Sequence, residues 1–211
     1  MTAQSIDLAT DGLQADSEEL ARAELYGLLS RLWLAPPDAA LLQQFAHAVT
    51  QAPERGALLE APWQALVHAL RQTTPEAATA EHQALFHGVG KPEVFAYGSY
   101  YLTGFLNERP LAALRTDLAA LGLARDTAAL ETEDHIAYLF EVMRYLIAGD
   151  DVGISNLEQQ RRFYRSHLQP WGHQLCDAVL AQPRAEVWRA VAVFTAAFLA
   201  IETQGFDLLE T

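Results

Sequence analysis

A single cysteine, Cys176, occurs in 211 residues, so no intrachain disulfide is possible and a cytosolic address is favoured. Basic residues are also scarce: 14 Lys and Arg stand against 27 Asp and Glu, for a formal net charge of −13. Such a surface repels phosphate backbones, which argues against nucleic acid as a partner, and it attracts basic partners. The first sixteen residues hold Asp7, Asp11 and Asp16 but no base, so the cationic and apolar regions of a secretory signal are missing. Residues 1–16 read as an acidic, mobile tail, and 17–205 as one domain. The longest greasy stretch, Val187 to Ile201, is short and interrupted by Arg189. It reads as a core helix, not as a stable membrane insertion.

Alternating strand patterns are missing as well, and helical periodicity takes their place. Asp16-x-x-Glu19 has the form of a capping box before a helix over Glu18–Leu34, which Pro36-Pro37 ends. A second helix is expected from Asp38 to about Gln51. Pro62 and Pro75 suit first-turn positions of helices over 63–72 and 76–86. Residues 87–98 form the main irregular loop, followed by short helices near 100–107 and 110–121. Ser155-x-x-Glu158 has the form of a second capping box, for a helix to His167. Pro170 and Pro183 precede two more. With 51% hydrophobic residues, the chain can bury a real core. The expected fold is all-α, a compact bundle of about nine or ten helices with no β-sheet, and with a possible hinge around 87–130.

Catalytic and metal-binding patterns are absent too. A ferritin-like di-iron site needs two Glu-x-x-His motifs, whereas Glu131 and His135 stand four apart. No His-Glu-x-x-His or Cys-x-x-Cys occurs. Ser99 lies in Tyr-Gly-Ser-Tyr, without the second glycine of a nucleophile elbow. Gly88-Val-Gly90-Lys91 lacks the spacing of a phosphate loop. The expectation is therefore no enzyme, no metal and no cofactor.

What is present is concentrated at one junction. Glu131-Thr-Glu-Asp-His135 opens onto Ile136, Leu139, Phe140, Met143, Leu146 and Ile147, spaced as one buried helix face. Thr132 is placed to be the N-cap, with Glu133 and Asp134 in the first turn, where negative charge suits the helix dipole. His135 is the odd member, because a protonated imidazole is disfavoured at that end. Asp134 and His135 point roughly 100° apart on a helix, which suits a groove wall better than one small ligand. Leu85 and Phe86 offer an apolar floor. Tyr97, Tyr100 and Tyr101 add aromatic surface with polar tips.

The same segment resembles the Glu-Pro-x-Asp-His-Ile signature of the TorD/DmsD chaperones, with Thr132 where that family usually has Pro. Three other stretches match in order: Glu81-His-Gln-Ala-Leu-Phe-His-Gly88, Tyr97-Gly-Ser-Tyr-Tyr101, and Phe163-Tyr-Arg-Ser-His-Leu-Gln-Pro-Trp171. The resemblance implies a cytoplasmic chaperone that binds the twin-arginine signal peptide and the apo form of a molybdopterin-dependent oxidoreductase. Such a protein assists cofactor insertion and delays export. The residues expected to bind the leader are Asp134, His135, Glu131, Glu133, Leu85, Phe86, Tyr97, Tyr100 and Tyr101. Monomer and domain-swapped dimer both remain open. The alternative is a small-ligand-binding helical sensor or regulator, which would need a DNA-binding element that the sequence does not offer.

Overall fold

The computed structural model describes residues 8–48, 58–88, 90–126 and 129–208, with side chains described from residue 18 onward. Ten helices and no strand occur among them: α1 Leu8–Leu34, α2 Ala39–Ala46, α3 Glu60–Gln72, α4 Pro75–Phe86, α5 Gly98–Thr103, α6 Arg109–Ala120, α7 Ile136–Ala148, α8 Leu157–His167, α9 Gly172–Leu180 and α10 Val187–Leu208. The bundle is all-α, as the periodicity predicts. Helix α1 lies along α7, while α10 packs on α9 and α3, and α8 closes the side of α7.

Helix ends follow local chemistry where a proline or a single polar side chain decides them. Pro75 opens α4 under a Thr74 cap, and Asp38 caps α2 by accepting from the Leu41 N–H at 2.7 Å. Both expected capping boxes need correction. Helix α1 continues back to Leu8 without a break at Asp16, because Ala, Leu and Gln upstream are good helix formers and a capping box only permits a start. Of the expected N-terminal tail, residues 1–7 lie outside the described residues. In α8 the cap is Asn156, which accepts from the Gln159 N–H at 3.1 Å. Ser155 instead donates to the Tyr145 carbonyl. Helix α2 stops at Ala46, with His47 as its C-cap and Ala48 outside the helix, short of the expected end near Gln51; residues 49–51 are outside the described residues.

Helix α10 is long and apolar enough to cross a membrane by length and composition, yet its Trp188, Val191, Phe194 and Phe198 are buried in the bundle core. Its N-terminus is closed from outside. Glu81 on α4 accepts hydrogen bonds from the backbone N–H groups of Glu186, Val187 and Trp188 at 2.8, 3.0 and 2.9 Å, satisfying donors that a helix leaves free. Further along, Glu202 takes a forked pair from Arg22 at 2.7 and 2.8 Å and a third bond from the Tyr26 hydroxyl at 2.7 Å. Arg22 also donates to Gln160 on α8. One buried network thereby ties α1, α8 and α10 together.

Candidate functional site

The signature segment becomes a strap, held by contacts that local pattern did not reveal. Tyr97 and His135 form an isolated antiparallel bridge, in which Gly98 N–H donates to the Asp134 carbonyl and Ile136 N–H to the Ala96 carbonyl, both at 2.9 Å. Thr132 to Asp134 lie in loop and turn and His135 is extended, so none of them is in the helix. The expected N-cap at Thr132, with Glu133 and Asp134 in the first turn, is therefore corrected: α7 begins at Ile136 and His135 is its cap. The His135 Nδ1 accepts from the Ala137 N–H at 3.2 Å. Burial lowers the His135 pKa to about 4, so a neutral imidazole meets the positive helix end and the electrostatic conflict disappears.

Asp134 is 3% exposed. Its Oδ2 accepts from the Ser99 N–H at 2.9 Å and its Oδ1 from the Thr132 hydroxyl at 2.7 Å. The carboxylate pins α5 to the strap. Gly98 beside it lets the start of α5 lie close to Trp171, since a Cβ there would fall 2.9 Å from the indole.

Glu133 turns the other way. It forms a forked pair with Arg115 at 3.0 and 2.9 Å, which holds its carboxyl below the usual range. The Arg115 side chain is 52% exposed. Glu131 accepts from the Tyr97 hydroxyl. Burial, and then this bond, push the Tyr97 phenol upward.

The remaining expected residues are dispersed. Leu85 is inside the core, with its carbonyl accepting from Val94 N–H at 2.9 Å, so it has no surface to offer a groove. Phe86 packs edge-on against Trp33 and Trp188 at 6.0 and 5.9 Å. Tyr100 lies 4.2 Å from the Phe95 ring, and Tyr101 stacks on Trp171 at 5.5 Å. Glu131, His135 and Tyr97 form one cluster, and Tyr100 and Tyr101 another. The nine residues do not share a single wall.

Two recesses flank the strap. A groove of about 350 Å³ is lined by Leu118, Leu123, Tyr138, Val142 and Tyr145, together with Glu133 and Glu141. On the Asp134 side is a cavity of about 250 Å³. Neighbouring carboxylates thus serve opposite recesses. Periodicity concealed the groove because attention falls on the buried stripe of α7. Tyr138, Val142 and Tyr145 form a second stripe at i, i+4 and i+7, and that stripe was the available signal. Arg115 carried no signal, since nothing local marks it as the partner of Glu133.

Among the described residues, no group of three or more His, Cys, Asp or Glu is arranged to hold a metal ion. Cys176 is buried, and burial pushes its thiol up to about 12, leaving essentially no thiolate at neutral pH.

Comparison with known proteins follows the same line. The family model for the nitrate reductase delta subunit matches residues 52–177, more than half of the chain. Among solved structures, a protein from Archaeoglobus fulgidus described as a redox enzyme maturation protein shares the fold. The TM-score is 0.51 at 18% identity, with 86% of this chain and 93% of that chain covered. No curated protein matches. With the four motif stretches in order and an all-helical bundle around them, the chain belongs to the nitrate reductase delta-subunit family of TorD-like maturation chaperones.

Proposed function

We propose that this protein is a cytoplasmic chaperone that holds the twin-arginine signal peptide and apo form of a molybdopterin-dependent oxidoreductase of the nitrate reductase type, so that cofactor insertion precedes export. The observation that carries this reading is the apolar groove beside the strap, whose walls include the carboxylates of Glu133 and Glu141. A twin-arginine leader pairs guanidinium groups with an apolar tract, and the groove offers both complements in one place.

Each carboxylate already holds a guanidinium of its own chain. Arg115 occupies Glu133 and Arg144 occupies Glu141. Both arginines are substantially exposed, and exposed pairs of this kind are worth only about 0–1 kcal/mol. An arginine of the leader can replace Arg115 at small cost, keeping the forked geometry that carboxylates favour. The apolar tract lies against Leu123, Val142 and Tyr145, as a bound segment lies in a helical groove. The net charge of −13 speeds the encounter with a basic leader. Asp134 and His135 act here as positioning residues, setting the angle at which Glu133 and Tyr138 meet the groove. The function is binding and needs no turnover.

Titration calorimetry of the full chain tests the reading. A peptide with Arg-Arg and an apolar tract is expected to bind, while a Lys-Lys version with a polar tract is not. Val142→Asp, at a partly buried position on the groove wall, should abolish binding by protein whose folding is checked in parallel by its melting temperature. Equal binding of both peptides, or binding unaffected by Val142→Asp, overturns the assignment.

A further inference from the structure

The cavity on the Asp134 side of the strap is distinct from the leader groove. Residues from five elements or their ends line it, among them Ser99, Asp117, Asp134, Leu139, His167 and Trp171. Three of the four stretches that carry the family resemblance meet there: 97–101 through Ser99, 131–136 through Asp134, and 163–171 through His167 and Trp171.

Its wall contains an unmet hydrogen-bonding group. Ser99 is 0% exposed and its Oγ has no partner. The backbone of Ser99 is fully engaged, its N–H with Asp134 and its carbonyl with the Thr103 hydroxyl. Buried hydroxyls are nearly always satisfied, and this one belongs to a residue that lines the cavity. The charge around the cavity is one-sided. Asp117 and Asp134 contribute carboxylates, and His167 donates Nε2–H to Asp117 at 2.8 Å. Burial lowers the His167 pKa, leaving the ring neutral at pH 7. Arg162 reaches Asp117 only at 3.5 Å and is largely solvent-exposed.

We propose that this cavity is a subsite for a single guanidinium group, held by the Asp117 carboxylate and the Ser99 hydroxyl, with its aliphatic stem against Leu114 and Leu139. A guanidinium supplies several N–H donors in a plane and no acceptor, which is the complement of the Asp117 carboxylate and an unused hydroxyl oxygen, with the engaged Asp134 carboxylate adding negative charge. At about 250 Å³ the cavity falls below the roughly 300–1,000 Å³ of sites for drug-sized ligands. It therefore takes one side chain or a small molecule, and not a peptide segment. An arginine of the client leader is one source, and that source rests on the reading given under Proposed function. A free guanidino compound presents the same head group.

The probe is ethylguanidinium chloride at millimolar concentration, titrated into the full chain against sodium chloride of equal ionic strength. The readouts are the NMR shifts of the Ser99 amide and the Trp171 indole N–H. Saturable shifts are expected with the probe alone. Asp117→Asn, at a partly exposed position, should weaken binding by about tenfold or more. Ser99→Ala should also weaken binding while leaving the melting temperature unchanged or raised, because it removes a hydroxyl that the folded chain does not use. No saturable shift, or unchanged affinity in both variants, overturns the subsite. Leader peptides with each arginine replaced in turn by citrulline then identify the source. A loss at one position that vanishes in Asp117→Asn assigns the cavity to the leader. A loss of equal size in both proteins assigns it to a free guanidino compound. Binding at the groove is read separately through Val142→Asp, so the two proposals fail independently.

Discussion

Two forked arginine–carboxylate pairs in this protein have almost the same local geometry and different consequences. Arg22 meets Glu202 at 2.7 and 2.8 Å, and Arg115 meets Glu133 at 3.0 and 2.9 Å. The first is enclosed by α1, α8 and α10, with Tyr26 and Gln160 completing its hydrogen bonds. The second joins α6 to the strap with half of the arginine in solvent. A buried pair cannot be opened without stranding a charge, so it belongs to the fold. An exposed pair exchanges its arginine for another at little cost. Both carboxylates are largely enclosed, so the burial of the arginine, 18% against 52% exposed, and not the pairing itself, separates the structural pair from the one open to a partner.

The strongest test of this contrast is Glu202→Ala. It should lower unfolding free energy by about 3–5 kcal/mol, read from urea denaturation. A loss below about 1 kcal/mol would erase the difference between the two pairs.

Acid is the next perturbation. His82 and His135 have folded-state pKa values of about 4, lowered by burial from 6.5. Between pH 6.5 and pH 4 the unfolded chain binds protons that the folded chain refuses. The contribution of each histidine is therefore complete above about 6.5 and is lost as pH falls towards 4, with a limiting slope of about 1.4 kcal/mol per pH unit. Replacing His135 with Asn, which still caps a helix, should flatten the dependence measured from pH 7 to pH 5. An unaltered slope would show that the His135 ring titrates normally.

Asp134→Asn should cost about 1.5–3 kcal/mol, the worth of hydrogen bonds to a charged acceptor. Hydrogen exchange at the Ser99 amide should accelerate, because that N–H is the donor held by the carboxylate. If leader binding falls while Ser99 protection is unchanged, Asp134 contacts the ligand directly and its positioning role is wrong.

The smallest effect on stability is expected from Glu133→Gln, no more than about 1 kcal/mol. Its effect on leader affinity should be larger, and the salt dependence of binding should weaken with it, since exposed charges more than about 8 Å apart are screened at physiological ionic strength. A greater loss of stability than of affinity would place Glu133 with Glu202 on the structural side of the comparison.

Much of the fold was legible because its signals are local. The Pro36-Pro37 stop, the Pro75 start, the Asp38 cap and the buried stripe from Ile136 to Leu146 all act within a turn or two of helix. The location of the signature segment was legible for the same reason. The part played by each of its members was not. Asp134 is defined by a hydrogen bond to Ser99, 35 residues away, and Glu133 by a pair with Arg115, 18 residues away. Glu202 is matched with Arg22 across 180 residues.

By itself, the sequence determined an acidic, disulfide-free, all-helical chain with a polar cluster before an apolar helix. Helix formation, capping and proline stops depend on neighbours in the chain, so pattern suffices to read them. Only the tertiary structure decided that Asp134 and Leu85 turn inward, that Glu133 faces a groove, and that α7 begins at Ile136 under a His135 cap. Those outcomes depend on which backbone groups the bridge at Tyr97 satisfies and on which side chains water is kept from, and neither is encoded within a single turn.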